Sequence, residues 1–461
     1  MRAIVIDLDS LRPDHLGCYG YARPTSPNID AIAASAFRAD RYYCANSPCQ
    51  PSRTALLSGR YGIRNGVVSH GPVSHTLQID LTQYNGPRAH NEVLPRHLRR
   101  HGIDTISISN FADRHSCWYW MCGWSEFLTP NLRCGNETAE EVNAVAIPWL
   151  RKNAGRDNYL LHLNYWDIHR PYKMSPTWGE RFGGLPVRSW PDEAEIERMS
   201  HFTGPFTACQ QWGARGGKSK FPLMPDEVTT RAAFEQMING YDASIAYTDH
   251  HLGQVFDELD RQGVIDETAI IITGDHGDAF GEHGIYSDHV CADECIHRVP
   301  MIVRWPGVTR EKVCDTRLLT NVDFAPTICD LLGVPAPADW DGTSFAPAVR
   351  GEPGGPDRDY VVWEHGLYTA QRAVRTREHL MIQTLHALDY NQFEPLALFD
   401  MRDDPYQTRN IAADQPEIVA KCEQMLATWM AEQQAKPGYA GDPLQAVVNA
   451  RLRAESTTRA G

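Results

Sequence analysis

Nothing in this sequence approaches 18 uninterrupted apolar residues, so no membrane-crossing helix and no membrane partner is expected. The first apolar run, Ala3-Ile4-Val5-Ile6, stops at Asp7, far short of a signal-peptide core, which predicts a cytoplasmic protein. The twelve cysteines (18, 44, 49, 117, 122, 134, 209, 291, 295, 314, 329 and 422) include no C-x-x-C pair. That excludes a zinc ribbon and a disulfide scaffold, and most are expected to be small buried hydrophobes. Positive charge is scarce as well: 44 Lys+Arg against 58 Asp+Glu give a net charge of −14, and only seven of the basic residues are lysines. Such a balance disfavours a broad grip on nucleic acid, and an anionic substrate would need a local positive site. What is present is an ordinary globular composition, 461 residues with 42% hydrophobic and 22% charged. The chain is long enough for one large domain and a smaller one.

Residues 3 to 8 read as a short buried strand, and the Pro-, Ser- and Asn-capped segment 24 to 36 as the helix that follows. Helix 94 to 100, strand 103 to 108 and strand 159 to 165 continue the alternation; the last runs into a His-containing turn. An amphipathic helix over Phe234 to Gln262 ends at Gly263, and the strand Ala269 to Thr273 then meets the turn Gly274-Asp275-His276-Gly277. Residues 301 to 305 form one more apolar strand. Strand, charged turn and helix in this order predict a mostly parallel sheet with its site at the carboxyl ends of the strands. Residues 173 to 228 are rich in Pro, Gly, Trp and charge, with poor periodicity, and read as a long insertion beside the site. The stretch Gly351 to Pro356 marks a boundary. Beyond it, strands near 359 to 363, 371 to 383 and 396 to 400 and a helix near 415 to 433 predict a smaller α+β unit, with 441 to 461 as an extended tail.

The sharpest local signal is Cys49-Gln50-Pro51-Ser52-Arg53. A proline in a first helical turn places Cys49 at a helix N-terminus, where free N–H groups favour an anion. C-x-P-S-R resembles the hallmark of the formylglycine-dependent sulfatases of the alkaline phosphatase superfamily. The resemblance runs in order through Arg12-Pro13-Asp14, His169-Arg170-Pro171-Tyr172, Asp275-His276-Gly277, Gly281-Glu282-His283-Gly284, Arg298-Val299-Pro300, Asp323-Phe324-Ala325-Pro326-Thr327, Leu398-Phe399-Asp400 and Asp404-Pro405 to Asn410. It implies an α/β alkaline phosphatase-like fold, with 1 to 355 catalytic and 356 to 440 the smaller subdomain. It also implies oxidation of Cys49 to Cα-formylglycine by a formylglycine-generating enzyme. A hydrated aldehyde offers two hydroxyls on one carbon: one attacks sulfur, and deprotonation of the other expels sulfate.

The resemblance further implies one divalent metal, Ca²⁺ by its preference for hard oxygen ligands, with Mg²⁺ or Mn²⁺ as alternatives. Its ligands would be Asp9, Asp275, His276 and the residue at Cys49. Asp7 stands two residues before Asp9, which puts both side chains on one face of the strand; it reads equally as a ligand or as an acid capping the next loop. The family often has adjacent acids here, whereas this chain has Asp9-Ser10. Arg53, one turn from Cys49, can neutralise charge. His169 and His289 are the candidate proton donors, His289 being open to a supporting role as well. A G-K-W-H-L-G stretch common in the family is replaced by Ser109-Asn110-Phe111-Ala112-Asp113-Arg114-His115, and all seven lysines lie outside the motifs. Arg114 and His115 are candidates to replace that charge, and His70 and Asp167 to line the substrate pocket; each also reads as simple packing. The Trp118 to Trp124 run could stack on a sugar or fill core. The expected activity is sulfuric ester hydrolysis on a small sulfated carbohydrate or aryl sulfate. A phosphonate monoester or phosphodiester hydrolase sharing the nucleophile and metal is the nearest alternative, and a non-catalytic binder of sulfated glycans a more distant one.

Overall fold

The computed structural model describes residues 1–70, 73–74, 92–133, 135–211, 219–309, 313–437 and 439–460, the last three of these by backbone alone. Gly71, Cys134, Lys218 and Lys312 lie outside the described residues. An eight-stranded sheet forms the centre, in the order Val313–Asp315, Phe37–Ala39, Met301–Arg304, Thr268–Gly274, Arg2–Leu8, Tyr159–Tyr165, Asp104–Ile108, Glu126–Leu128. Among its neighbours only Met301–Arg304 runs antiparallel.

Parallel strands buried on both faces need a near-continuous apolar run, and the first strand supplies one over Ala3 to Ile6. Ile4, Ile6 and Leu8 enter one core with Phe234, Ile238, Tyr241 and Leu252 of the helix Arg231–Arg261. Ala3 and Val5 enter the opposite core with Leu56 and Leu57 of the helix Cys49–Ser58 and with Phe324 and Ile328 of the helix Phe324–Leu331. The long helix starts at Thr230, whose side chain accepts from the Ala233 N–H at 3.2 Å. Its buried positions recur at helical spacing, three and four apart.

The second sheet is ordered Leu396–Asp400, His379–His386, Ala370–Thr376, Tyr360–His365, Asn46–Ser47. Residues 371 to 383, read above as one strand, are the two arms of a hairpin. Exposed Arg377 and Glu378 make its turn, where the Thr376 hydroxyl accepts from the backbone N–H groups of Glu378 (3.3 Å) and His379 (3.0 Å). The edge strand Asn46–Ser47 comes from the N-terminal part and pairs in parallel with Glu364 and His365. The smaller sheet is thus joined to the segment leading straight into Cys49, across the expected domain boundary. The helix Pro416–Ala435 covers one face of this sheet, burying Val419, Cys422, Leu426 and Trp429 against Val362, Val374 and Met381.

The extended tail expected over 441 to 461 is instead a helix, Pro443–Ala460. Asp442 accepts from the N–H groups of Leu444 (3.0 Å) and Gln445 (3.2 Å), and Leu444, Val447 and Val448 form a short helical stripe on Val68 and Ala370. The insertion holds short helices at Pro176–Gly179 and Glu193–Met199. Among the described residues no helix is long and apolar enough to cross a membrane. All described cysteines are free; Cys44, Cys49, Cys117, Cys291, Cys329 and Cys422 are buried, while Cys209 and Cys314 are exposed.

Candidate active site

Strand register assembles the site. Leu8 is level with both Gly274 and Tyr165 in the neighbouring parallel strands, so Asp9, Asp275 and Trp166 leave three adjacent strand ends at the same height. The Ser10 N–H donates to Asp275 at 3.0 Å, tying two of these ends together. From the other side comes the helix Cys49–Ser58, clamped by the Ser52 hydroxyl, which donates to the Asp275 carbonyl at 2.5 Å, and by Asn321, whose amide donates to Ser52.

Arg53 is wholly buried, with three carboxylates around it. Its Nε and Nη2 donate to Asp7 (2.6 and 3.1 Å), and Nη1 donates to Asp9 (2.8 Å) and Asp275 (2.6 Å). Phe111 covers its face, 4.8 Å from the guanidinium carbon to the ring centre. Burial would raise the Asp7 carboxyl, but the Arg53 charge and a hydrogen bond from His162 outweigh it and hold it at about 2. Asp275 moves the other way: burial pushes it well above the usual carboxylate range, Arg53 opposes, and the neighbouring Asp9 and Asp7 add to the rise.

Donor atoms of Asp9, Cys49, Asp275 and His276, all buried, lie within 4.8 Å of one another. Asp7 is outside that group, engaged by Arg53 and His162. The His276 Nδ1–H donates to the Gly277 carbonyl (2.9 Å), which leaves Nε2 as a lone-pair donor, 3.1 Å from the Cys49 sulfur. Two carboxylates, an imidazole and a fourth side chain around a buried point suit a hard divalent cation, provided that residue 49 carries oxygen in place of soft sulfur. As a thiol, Cys49 is a poor nucleophile: burial and then Asp9 and Asp275 push its ionisation well above the ordinary range.

Further histidines surround Cys49: its sulfur lies within 4.8 Å of donor atoms of His289, His70 and His115 as well as His276. The His289 ring centre is 4.0 Å from that of His276 and 5.5 Å from that of His169. Burial would lower His289, yet the Asp288 charge and a 2.9 Å hydrogen bond to Asp278 lift it to about 9. His169 behaves oppositely, held well below the ordinary histidine value by burial and by His289. Its Nδ1–H donates to the Arg170 carbonyl (2.5 Å), and its ring stacks on Trp166 at 4.0 Å. His70 accepts from the Gln50 N–H at 3.0 Å and lies 4.4 Å from His115, centre to centre. Arg114 covers the Trp166 ring and pairs with Glu137 (2.8 Å).

Asp167 faces a side cavity of about 270 Å³, lined also by Trp166, His169, Lys173, Trp178 and Tyr247. One oxygen of its carboxyl has no partner, and burial first, then Glu137, raises it to about 7. Sequence reasoning missed Asp278, His162 and Asn321. Asp278 stood in the same turn as Asp275 and could have been singled out as a third acid; the other two carried no local signal.

The match to a family model settles the class: the Sulfatase model covers residues 2–334, and the model for the N-sulphoglucosamine sulphohydrolase C-terminal region covers 281–436. The chain belongs to the sulfatase family. It is 23% identical over 458 residues to an N-acetylglucosamine-6-O-sulfatase of Bacteroides thetaiotaomicron, covering 86% of this chain and 80% of the relative. A protein solved in complex with its substrate D-glucosamine-2-N,6-O-disulfate superposes with a TM-score of 0.75 at 20% identity, covering 96% of this chain and 99% of that one. A phosphonate monoester hydrolase of Agrobacterium radiobacter gives a TM-score of 0.72 at 19% identity, with 94% and 96% covered. These likenesses agree in the fold, α/β and alkaline phosphatase-like.

Proposed function

We propose that the protein hydrolyses a sulfate ester of a small carbohydrate, using Cα-formylglycine made from Cys49 by a formylglycine-generating enzyme. The observation that carries the reading is the buried meeting of Cys49 with Asp9, Asp275 and His276 at a helix N-terminus beside Arg53. The inert environment of the thiol supports conversion before use. In that form residue 49 supplies a pair of hydroxyls on one carbon, one to attack sulfur and one to release sulfate. Asp9, Asp275, His276 and residue 49 would hold a divalent ion, Ca²⁺ in our reading with Mg²⁺ or Mn²⁺ as alternatives, which draws charge from the reacting oxygens.

The remaining residues divide the work by charge state. Cationic His289, fixed by Asp278, holds a proton for the departing alcohol oxygen; neutral His169, with Nδ1–H committed to a carbonyl, offers Nε2 as an acceptor or a sulfate contact. Arg53 holds Asp7, Asp9 and Asp275 in place and keeps Asp7 ionised. Arg114, with His70 and His115, supplies the positive and hydrogen-bonding wall that a lysine provides in many relatives. The alcohol side of the ester lies toward the cavity of Trp166, Asp167, Lys173 and Trp178, whose ring faces and polar groups suit a sugar.

Two measurements on protein matured by the generating enzyme test this reading. The tryptic peptide Tyr42 to Arg53 should lose about 18 Da as the thiol becomes the aldehyde nucleophile. Sulfate should then appear from sulfated monosaccharides faster than phosphonate is cleaved from an aryl phosphonate monoester. The reverse preference would favour the phosphonate hydrolase, a reading supported by the replacement of the lysine-bearing G-K-W-H-L-G stretch by Ser109 to His115. Sugar binding without turnover by fully converted protein would favour the glycan binder.

A further inference from the structure

A second cavity, about 340 Å³, lies where the helix Glu193–Met199 meets the outer strands of the smaller sheet, His379–His386 and Leu396–Asp400. That volume is within the range of small-ligand sites, roughly 300–1,000 Å³. None of the side chains grouped around Cys49 lines it.

Its wall concentrates buried polarity that the chain itself does not satisfy. Both amide atoms of Gln407 and both of Gln392 lack partners, as does the indole nitrogen of Trp190. Gln407 is only 3% exposed. Buried amides are normally paired, because losing their hydrogen bonds to water is costly. The backbone adds a second, independent sign. Gln407 (φ 55°) and His283 (φ 49°), both on the wall, adopt the left-handed conformation that side chains other than Gly and Asn seldom take. Strain of this kind collects where a loop is held for binding.

The lining also selects the ligand. Trp190 and Tyr406 stack at 4.2 Å and 9°, giving a flat aromatic element beside the amides. Each cation at the wall already faces a carboxylate: Arg198 pairs with Glu195 (2.8 Å) and His283 Nε2 lies 3.1 Å from Asp293, while Glu394 accepts from the Asn410 amide (2.6 Å). A sulfate or carboxylate would therefore meet no uncommitted cation. Amides that donate and accept next to aromatic rings suit a ring bearing hydroxyls on its edge and C–H groups on its face.

We propose that this cavity is a second binding site, for an uncharged saccharide unit, with Gln392 and Gln407 hydrogen-bonded to ring hydroxyls and the Trp190–Tyr406 pair packed against the ring. The site stands apart from the chemistry at Cys49. On a glycan substrate, such a contact raises the local concentration of ester without touching the reacting atoms.

Calorimetric titration of the full-length Cys49→Ala protein, with the catalytic group saturated by inorganic sulfate, tests the site without turnover. The probes are N-acetylglucosamine, galactose, lactose and maltose. At least one should bind in the millimolar range or tighter. Gln407→Asn, which tolerates the left-handed backbone but is too short to reach, should weaken it about fivefold or more. Gln392→Ala, on a partly buried loop, should do the same. The proposal is overturned by no binding of any of the four sugars, by binding indifferent to both variants, or by a sugar-soaked crystal with only ordered water on Gln392 and Gln407. Sugar binding by a chain that releases no sulfate would sink the catalytic reading alone, and sulfate release without sugar binding would sink this one alone.

Discussion

Arg53→Met is the most informative single perturbation of the catalytic group. The guanidinium is the shared partner of Asp7, Asp9 and Asp275. The variant leaves these carboxylates buried with no cation beyond the 3.3 Å contact of His162 to Asp7, Asp9 keeping only the Ser10 hydroxyl (3.0 Å) and Asp275 the backbone N–H groups of Ser10 (3.0 Å) and His276 (2.8 Å). Removing one member of a buried ion pair costs about 3–5 kcal/mol, because the stranded charge cannot recover its hydration. The rise of Asp275 above the carboxylate range limits the loss, since a proton taken up there removes part of the repulsion; we therefore expect about 3 kcal/mol at neutral pH. The assay is urea unfolding followed by tryptophan fluorescence in chelator, with and without Asp7→Asn. In the Arg53→Met background, Asp7→Asn should restore roughly 1–3 kcal/mol, whereas in the parent it should destabilise by breaking the bidentate pair. Calcium at a hundred times its dissociation constant should return about 2.7 kcal/mol to either protein if the cation binds only the folded state. Unchanged stability in Arg53→Met, or losses from the two substitutions that simply add, would refute the argument.

Cys49→Ala should abolish sulfate release while leaving the unfolding midpoint close to that of the parent; residual turnover would remove residue 49 from the chemistry. Chelation should lower both activity and melting temperature, and Asp9→Asn should abolish the calcium response of both, which a metal titration of the variant checks. His289 has a folded value of about 9, above its ordinary 6.5. Its stabilising contribution is thus complete below about 6.5 and fades as pH rises through about 9. Activity that needs its proton should show an alkaline limb near 9, moved toward neutrality by Asp278→Asn; a limb near 6.5 in the parent enzyme would contradict the role. Deleting residues 441 to 461 uncovers Val68 and Ala370 and removes three buried apolar side chains, each worth roughly 1.5–3 kcal/mol. A clear fall in melting temperature is expected, and none would show that the last helix is dispensable.

The sequence alone carried the alternation of strands and helices, the helix over Leu94 to Arg100 and the strand over Tyr159 to Tyr165, since these depend on spacing and caps within a few residues. It also carried the nucleophile motif and the Asp275-His276 turn, because each is contiguous. Three things were decided by tertiary structure. The tail became a helix only because Val68 and Ala370, far away in the chain, offer its apolar stripe a surface. Asp7 and Asp9 share a strand face, yet the side chain approaching from the helix Cys49–Ser58 engages both and leaves only Asp9 in the group with Cys49. The opposite charge states of His169 and His289 follow from burial in one case and from Asp278 and Asp288 in the other. Local order follows from neighbours in the chain; the charge on a buried group follows from neighbours in space, and no spacing rule encodes those.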